Sequence, residues 1–233
     1  MADCTIELPP IADPAVKLMR DERGLALVGE GMELRCDLTS MLPRIKPGKL
    51  SHELLVKAAK VKGADAPRAI DATAGFGEDA LLLAAADFEV QLYEADPVIA
   101  ALLADGLARA ANDPQLAPIV ARMHLTHGDS VTALKVLAQN EGIAAPDVIY
   151  LDPMFPARQK SAAVKKKFQL LHHLEAPCAN EEELLLAAIA AGPRKVVIKR
   201  PMKGPLLAGI KPSYSISGKA VRYDCITPAS IKL

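Results

Sequence analysis

From Arg68 onward, short apolar runs alternate with longer amphipathic stretches. The runs are "AIDAT", "EVQLYEA", "MHLTH", "DVIYLD" and "KVVIKR". Each is too short for a helix and reads as a buried strand. Between them, Glu78–Ala86, Pro97–Ala111, Val131–Gln139 and Glu181–Ala191 carry apolar residues at helical spacing. Strands alternating with helices predict parallel pairing and a doubly wound α/β sheet.

Both ends of the chain break this rhythm. "GLALVGEGMELRCDL" alternates around Gly29-Glu30-Gly31 and predicts a small N-terminal β-hairpin. A Pro- and Lys-bearing loop follows. A helix is then predicted from Ser51 as N-cap to about Val61, with Glu53 in its first turn and Gly63 after its end. Residues 1–50 therefore read as an N-terminal extension and 51–233 as the main domain. Near the end, "SYSIS" and "AVRYDCI" flank Gly218-Lys219 and predict an antiparallel C-terminal hairpin.

Composition supports helices packed on a sheet. The 233 residues are 51% hydrophobic and hold no Trp. The formal net charge is zero, so a polyanion would have to be met by local patches. Cys4, Cys36, Cys178 and Cys225 are far apart and form no CxxC pair, so reduced thiols are expected, with neither a zinc site nor a disulfide frame. His172-His173 are adjacent and do not share a helix face, and no metal is assigned to them. No apolar run reaches the roughly 18 residues of a membrane span. The acidic start "MADCTIELPP" lacks a signal peptide's basic and apolar regions, so a cytoplasmic protein is expected.

The first chemical signal is "AIDATAGFGEDA". A strand ends at Asp71, a turn carries Gly75 and Gly77, and a helix starts near Glu78. Such a turn lets backbone approach a ligand closely. Glu94 ends the next strand, where an acid can accept hydrogen bonds from both ribose hydroxyls of an adenosine. Gly75-x-Gly77-x-x-Ala80 also satisfies a loose dinucleotide pattern, and an ordinary tight α/β turn satisfies it too. Asp71 and the four-residue gap to Gly75 resemble motif I of S-adenosylmethionine-dependent methyltransferases, whose acid lies near the methionine end of the cofactor. Glu78 and Asp79 suit a helix N-terminus and would repel a pyrophosphate. Asp129, in "THGDS", stands where such enzymes often contact the adenine amino group; a helix N-cap by Asp129 or Ser130 is the simpler alternative.

The second signal is "YLDPMFPARQKS". Asp152 ends the fourth strand, at the carboxyl edge where α/β sheets bind ligands. Asp152-Pro153-Met154-Phe155 resembles the [Asn/Asp]-Pro-Pro-[Tyr/Phe] motif of amino-group methyltransferases. The chemistry accounts for the residue types. An exocyclic amine on a base is a poor nucleophile because its lone pair is delocalised into the ring. The Asp152 carboxylate and the Pro153 carbonyl can each accept one N–H bond, orienting the nitrogen and offsetting its growing positive charge. Phe155 can stack on a flipped base.

A basic run follows. Arg158, Lys160, Lys165, Lys166 and Lys167 lie in an acid-free stretch, and Lys199, Arg200 and Lys203 follow the fifth strand. Arg44, Lys46 and Lys49 can add to them. Such clusters suit phosphate contacts with an RNA, with a solvated helix face as the plain alternative.

Taken in order, "DATAGFGEDA", "YEADPVIAALLADGLARA", "YLDPMFPARQKSAAVKK" and "KRPMKGPLLAG" resemble the ribosomal RNA small subunit methyltransferase J family over roughly residues 44 to 226. The resemblance implies a Rossmann-like class I methyltransferase sheet. It also implies methyl transfer from S-adenosylmethionine to N2 of a guanine in 16S rRNA of the small ribosomal subunit. Cofactor contacts would fall at Glu78, Asp79, Glu94, Ala95, Asp129, Ser130 and Asp152, beside the Asp71, Gly75 and Gly77 already read from the glycine loop. Catalysis would fall to Asp152, Pro153 and Phe155, and RNA contacts to the basic residues from Arg158 to Lys167, with Lys199 and Arg200. Glu78 and Ala95 stand where family members often have Arg, which leaves backbone contacts at those two positions.

The motif alone also fits adenine N6, cytosine N4 or a protein amide. An NAD-dependent oxidoreductase on the same fold and a non-enzymatic RNA-binding module are the rival classes. The first gives Asp152-Pro153-Met154-Phe155 no role. The second leaves the intact set Asp71, Glu94, Asp152 and Phe155 unexplained.

Overall fold

A computed structural model describes residues 8–140, 142–153, 170, 171, 174 and 180–228. It begins with three antiparallel strands, β1 (Val16–Asp21), β2 (Gly24–Gly29) and β3 (Met32–Leu34). The expected hairpin around Glu30-Gly31 is β2–β3. β1 adds a strand that the sequence pattern concealed, because only Val16 of its six residues is buried and the hydrophobic alternation is lost. Leu25 and Leu27 join the core of the main sheet, so the extension has no separate core.

A 3-10 turn at Leu38–Met41 leads into α1 (Leu42–Ile45). The helix expected from Ser51 is corrected here. Leu50–His52 form a 3-10 turn, and α2 runs only Leu54–Ala59 with Glu53 as its extended N-cap residue. Ser51 caps nothing. Glu53 instead accepts Nε and Nη2 of Arg44 at 2.9 and 2.7 Å, a bidentate pair that fixes the helix entry.

The central unit follows the predicted alternation. It comprises β4 (Arg68–Asp71), α3 (Glu78–Ala85), β5 (Glu89–Glu94), α4 (Pro97–Ala110), α5 (Ala117–Val120), β6 (Met123–His127), α6 (Ser130–Gln139) and β7 (Val148–Leu151). After the undescribed stretch come α7 (Glu181–Ala190), β8 (Lys195–Pro201), β9 (Tyr214–Ser217) and β10 (Val221–Ile226). Caps set the helix starts. Asp96 accepts from Val98 N and Ile99 N with Pro97 at the first turn of α4, and Asn180 accepts from Glu183 N in α7.

The seven-stranded sheet has the order β6-β5-β4-β7-β8-β10-β9. The first five strands are parallel, and β10 pairs antiparallel with both β8 and β9. The chain order reverses direction between β4 and β7, the switch point where such sheets leave a crevice at their carboxyl ends.

Residue alternation assigns the two faces. Val148, Tyr150 and Val197 belong to the core shared with α3 and α4, whereas Ile149, Leu151, Val196 and Ile198 belong to the core shared with α6 and α7. The register pairs Tyr150 with Val197 and Leu151 with Ile198. Extended by one residue, it sets Asp152 beside Lys199, both on the α3 side of the sheet.

Candidate active site

The turn after β4 is held from both sides. Ala72 N donates to Tyr150 O and Ala74 N to Tyr93 O, each at 3.0 Å. Gly75 and Gly77 then adopt left-handed φ of +53° and +71°, which only glycine takes without cost. The two serve different ends. A Cβ on Gly77 would come within 2.8 Å of Leu103 Cδ1, so that residue lets α3 pack close to α4. A Cβ on Gly75 would meet nothing within 4 Å, so its backbone borders open space. Glu94 secures the loop: Oε2 accepts Gly75 N at 2.8 Å and Oε1 accepts Asp96 N at 2.9 Å. Each oxygen keeps a further lone pair for a ligand hydroxyl.

At the switch point the carboxylates converge. Asp71 is 1% exposed and Oδ1 accepts Thr73 N at 3.1 Å. The hydroxyl of Thr73 accepts Asp152 N at 2.7 Å, tying the end of β7 to the turn after β4. Lys199 Nζ donates to Asp152 Oδ2 at 2.8 Å and to Asp79 Oδ2 at 2.7 Å. Tyr150 donates its hydroxyl to the same Asp79 oxygen at 2.7 Å. Thr73, Tyr150 and Lys199 thus belong to a network that motif reading did not assemble. The strand parity of residues 150, 152, 197 and 199 was the available signal.

The other expected residues are placed as follows. Glu78 and Ala95 are exposed, and Pro153 is buried. Asp129 caps α6, accepting Val131 N, Thr132 N and the Thr132 hydroxyl; Ser130 beside it is buried. Phe155, Arg158, Lys160, Lys165, Lys166 and Lys167 lie outside the described residues, as do Met154, Cys4, Cys178, His172 and His173. The expected RNA contact at Arg200 is corrected. Arg200 is 1% exposed, donates Nε to Pro205 O and faces Glu181 at 3.9 Å, so it is no surface cation. Lys199 is held by two carboxylates inside the site. A separate cavity of about 530 Å³ lies between α6 and β4–β6, lined by Ile70, Tyr93, Leu134 and Leu137. It flanks a sheet face, and none of the converging carboxylates lines it.

The chain matches the family model described as putative SAM-dependent methyltransferase over residues 12–228. It is 42% identical over 228 residues to ribosomal RNA small subunit methyltransferase J of Pseudomonas fluorescens (strain Pf0-1), covering 95% of this chain and 86% of that one. The counterpart in strain Pf-5 is 46% identical over 182 residues, 78% of this chain and 68% of that one. The chain belongs to the ribosomal RNA small subunit methyltransferase J family. A crystal structure of a SAM-dependent methyltransferase from Neisseria gonorrhoeae superposes with a TM-score of 0.75 at 31% identity, covering 96% of this chain and 88% of that one. The rRNA methyltransferase aviRa of Streptomyces viridochromogenes, at TM-score 0.51 and 16% identity over 79% of this chain and 86% of that one, shares the fold.

The chain is therefore an S-adenosylmethionine-dependent methyltransferase, and the oxidoreductase reading falls away. The residues of this family member fit that cofactor. Open space borders Gly75, Glu94 has lone pairs to spare, and Glu78 and Asp79 at the start of α3 suit a ligand without phosphates. Asp79 and Asp152 against Lys199 leave one net negative charge, which suits a sulfonium.

Burial governs the protonation states. It pushes Asp71 up to about 8, reinforced by Asp79 and Asp152. Burial also raises Asp152, against the pull of the Lys199 ammonium, and it raises Glu94 against the backbone N–H groups of Asp96 and Gly75. For Lys199 burial acts downward, but Asp79 and Asp152 outweigh it and hold the ammonium well above its ordinary range. At Asp129 burial is outweighed by the hydrogen bonds from Thr132 and Val131, which lower it.

The Asp71 shift carries a signed prediction. The unfolded chain ionises Asp71 near pH 4 and the folded chain near 8, so folding stability falls as pH rises through that window. Asp71→Asn keeps the acceptor and cannot ionise. Its denaturation midpoint should fall less than that of wild type between pH 5 and 8, the gap growing by up to about 1.4 kcal/mol per unit. Parallel pH profiles would refute a neutral Asp71.

Among the described residues, no group of three or more His, Cys, Asp or Glu side chains is arranged to hold a metal, and no helix is long and apolar enough to cross a membrane.

Proposed function

We propose that this protein methylates the exocyclic N2 amine of a guanine in 16S rRNA of the small ribosomal subunit, in the cytoplasm. The observation that carries the reading is the end of β7. Asp152 and Pro153 stand at the switch point, backed by Thr73 and Lys199, in a chain whose relatives are named for the ribosomal RNA of the small subunit.

Each residue then has a part. The Asp152 carboxylate and the Pro153 carbonyl accept the two N–H bonds of the target amine and orient it, so that its lone pair, drawn out of conjugation with the ring, can take the methyl as the sulfonium–methyl bond breaks; the methylated nitrogen, now acidic, then loses a proton. The carboxylate also offsets the positive charge that grows on nitrogen. Phe155 stacks on the flipped base. Glu94 holds the ribose hydroxyls, Asp129 and Ser130 border the adenine, and Asp71, Gly75 and Gly77 line the methionine end, with Glu78, Asp79 and Ala95 around them. S-adenosylmethionine, when bound, supplies an electrophilic methyl on a sulfonium. Arg158, Lys160, Lys165, Lys166 and Lys167 contact RNA phosphates. Lys46 and Lys49 are exposed on the loop that follows Arg44 and can extend that contact.

The deciding experiment supplies labelled S-adenosylmethionine and small subunits from cells lacking their own guanine-N2 methyltransferases. Labelled N2-methylguanosine in the digested RNA is the expected product. Label in another nucleoside would overturn the guanine assignment and keep the amine chemistry. Label on protein, or none, would overturn the RNA reading.

A further inference from the structure

We propose that Lys199 is a positioning residue for methyl transfer, a clamp that holds Asp152 by one carboxylate oxygen and leaves the other for the target amine. The inference rests on the reading of Asp152 just given, and it removes Lys199 from the set of phosphate contacts.

Three observations carry it. Lys199 Nζ lies 2.8 Å from Asp152 Oδ2 and 2.7 Å from Asp79 Oδ2, so both carboxylates share one ammonium. Among the described residues Asp152 Oδ1 accepts no hydrogen bond, while its backbone N–H is fixed on Thr73. Lys199 itself is fixed: it stands on a central strand, and Tyr150 holds Asp79 from the other side. A lysine reaching for an RNA phosphate would have to leave two carboxylates, one of them the half-buried Asp79 in the first turn of α3. A side chain only 27% exposed and doubly paired is poorly placed for that. It is well placed to stop the Asp152 carboxylate from rotating.

The clamp also sets the charge of the acceptor. Asp152 is faced by Asp71 from β4, Asp79 from α3, Tyr150 from its own strand, Lys199 and Arg200 from β8, and Tyr223 from β10. Of these, the ammonium of Lys199 is the charge in contact with it. Burial and the neighbouring acids favour protonated Asp152, and a protonated carboxyl is a poorer acceptor for an amine N–H. Lys199 opposes that. Asp79 competes for the same ammonium, so the two neighbours of Lys199 should have opposite effects when altered.

Carbon-13 labelling of the aspartate carboxyls and an NMR titration of Asp152 test this without any RNA. Lys199→Met should move the Asp152 midpoint to higher pH. Asp79→Asn, which keeps an acceptor for Tyr150, should move it to lower pH. The kinetic counterpart uses small subunits and saturating S-adenosylmethionine. Lys199→Met should lower kcat by about 10²-fold, with the acid limb displaced upward and KM for the subunit little changed. Lys199→Arg should recover much of the loss.

An Asp152 midpoint left unmoved by Lys199→Met would overturn the clamp. So would a kcat and acid limb kept in Lys199→Met while KM rises and its salt dependence weakens by about one counterion, which is the signature of a phosphate contact. Should Lys199→Met fail to fold, Lys199→Gln, which also removes the charge, takes its place, and an upward Asp152 midpoint is again the expected result. Subunits left unmethylated by wild type would refute the substrate reading, and the titration would still judge the clamp.

Discussion

Asp152→Ala should lower turnover by about 10²-fold or more, the usual scale for losing one polar contact to a developing charge. Binding of S-adenosylhomocysteine should stay within a few-fold of wild type. The structure separates these two outcomes. The backbone N–H of Asp152 donates to Thr73 and survives the substitution, so the strand end keeps its place. Lys199 keeps Asp79 as its partner, so no ammonium is orphaned. Burial and the Asp79 charge raise Asp152 against the pull of Lys199, so its removal gives back a desolvation cost along with the lost ion pair and little stability is lost. Asp152→Asn sharpens the test. It keeps an oxygen acceptor and loses the charge, and it should fall between wild type and alanine. Single-turnover methylation of small subunits, with a thermal melt of each variant, provides the check. Near wild-type turnover in Asp152→Ala would end the catalytic assignment.

Much of the fold was legible because the central strands β7 and β8 are short and carry unbroken apolar runs. "DVIYLD" and "KVVIKR" could be nothing but buried strands in this context, and β7 is buried along its whole length. The helix starts expected at Pro97 and Glu181 stand, and the structure shows each capped by the residue before it, Asp96 and Asn180. Ser51 shows the limit. A serine before an apolar stretch has the form of a cap, but the Arg44–Glu53 pair sets the local path and the helix begins three residues later. That pair joins residues nine apart across a loop, beyond the reach of local pattern. β1 was hidden for the opposite reason: an exposed strand has no apolar alternation to read.

The site was legible in its acids and less so in its cation. Asp71, Glu94 and Asp152 end three adjacent strands, and each is expected there from motif spacing alone. Lys199 looked like one more lysine in "IKRPMK". Its role depends on register: Tyr150 opposite Val197 carries Asp152 to Lys199, and no residue count within one strand reveals that. Arg200 illustrates the same point by parity, since its neighbour's face of the sheet is not its own and its side chain is buried. A basic run read as one surface is split by the strand into a clamp, a buried arginine and an exposed Lys203.

Glu94→Ala should weaken S-adenosylhomocysteine binding by about 10²-fold, with kcat at saturating S-adenosylmethionine little altered. Two losses combine. The ribose hydroxyls lose a charged acceptor, worth about 1.5–3 kcal/mol for a bond of this kind. Gly75 N and Asp96 N lose theirs as well, and the glycine loop is released from the geometry that a left-handed Gly75 requires. Glu94→Gln gives the sharper result. Its amide has one oxygen, so it can accept from Gly75 or from Asp96, and its NH₂ must face the other N–H. Gln should therefore recover little of the loss, although its shape is nearly that of Glu. The groups assigned to the target amine, Asp152 and Pro153 just after β7, do not depend on Glu94, so the chemical step is largely spared once the cofactor is bound. Calorimetric titration of both variants decides the matter. Affinity within threefold of wild type in Glu94→Ala would show that Glu94 serves the loop alone. A fully restored affinity in Glu94→Gln would show that neither the charge nor the double backbone acceptor matters.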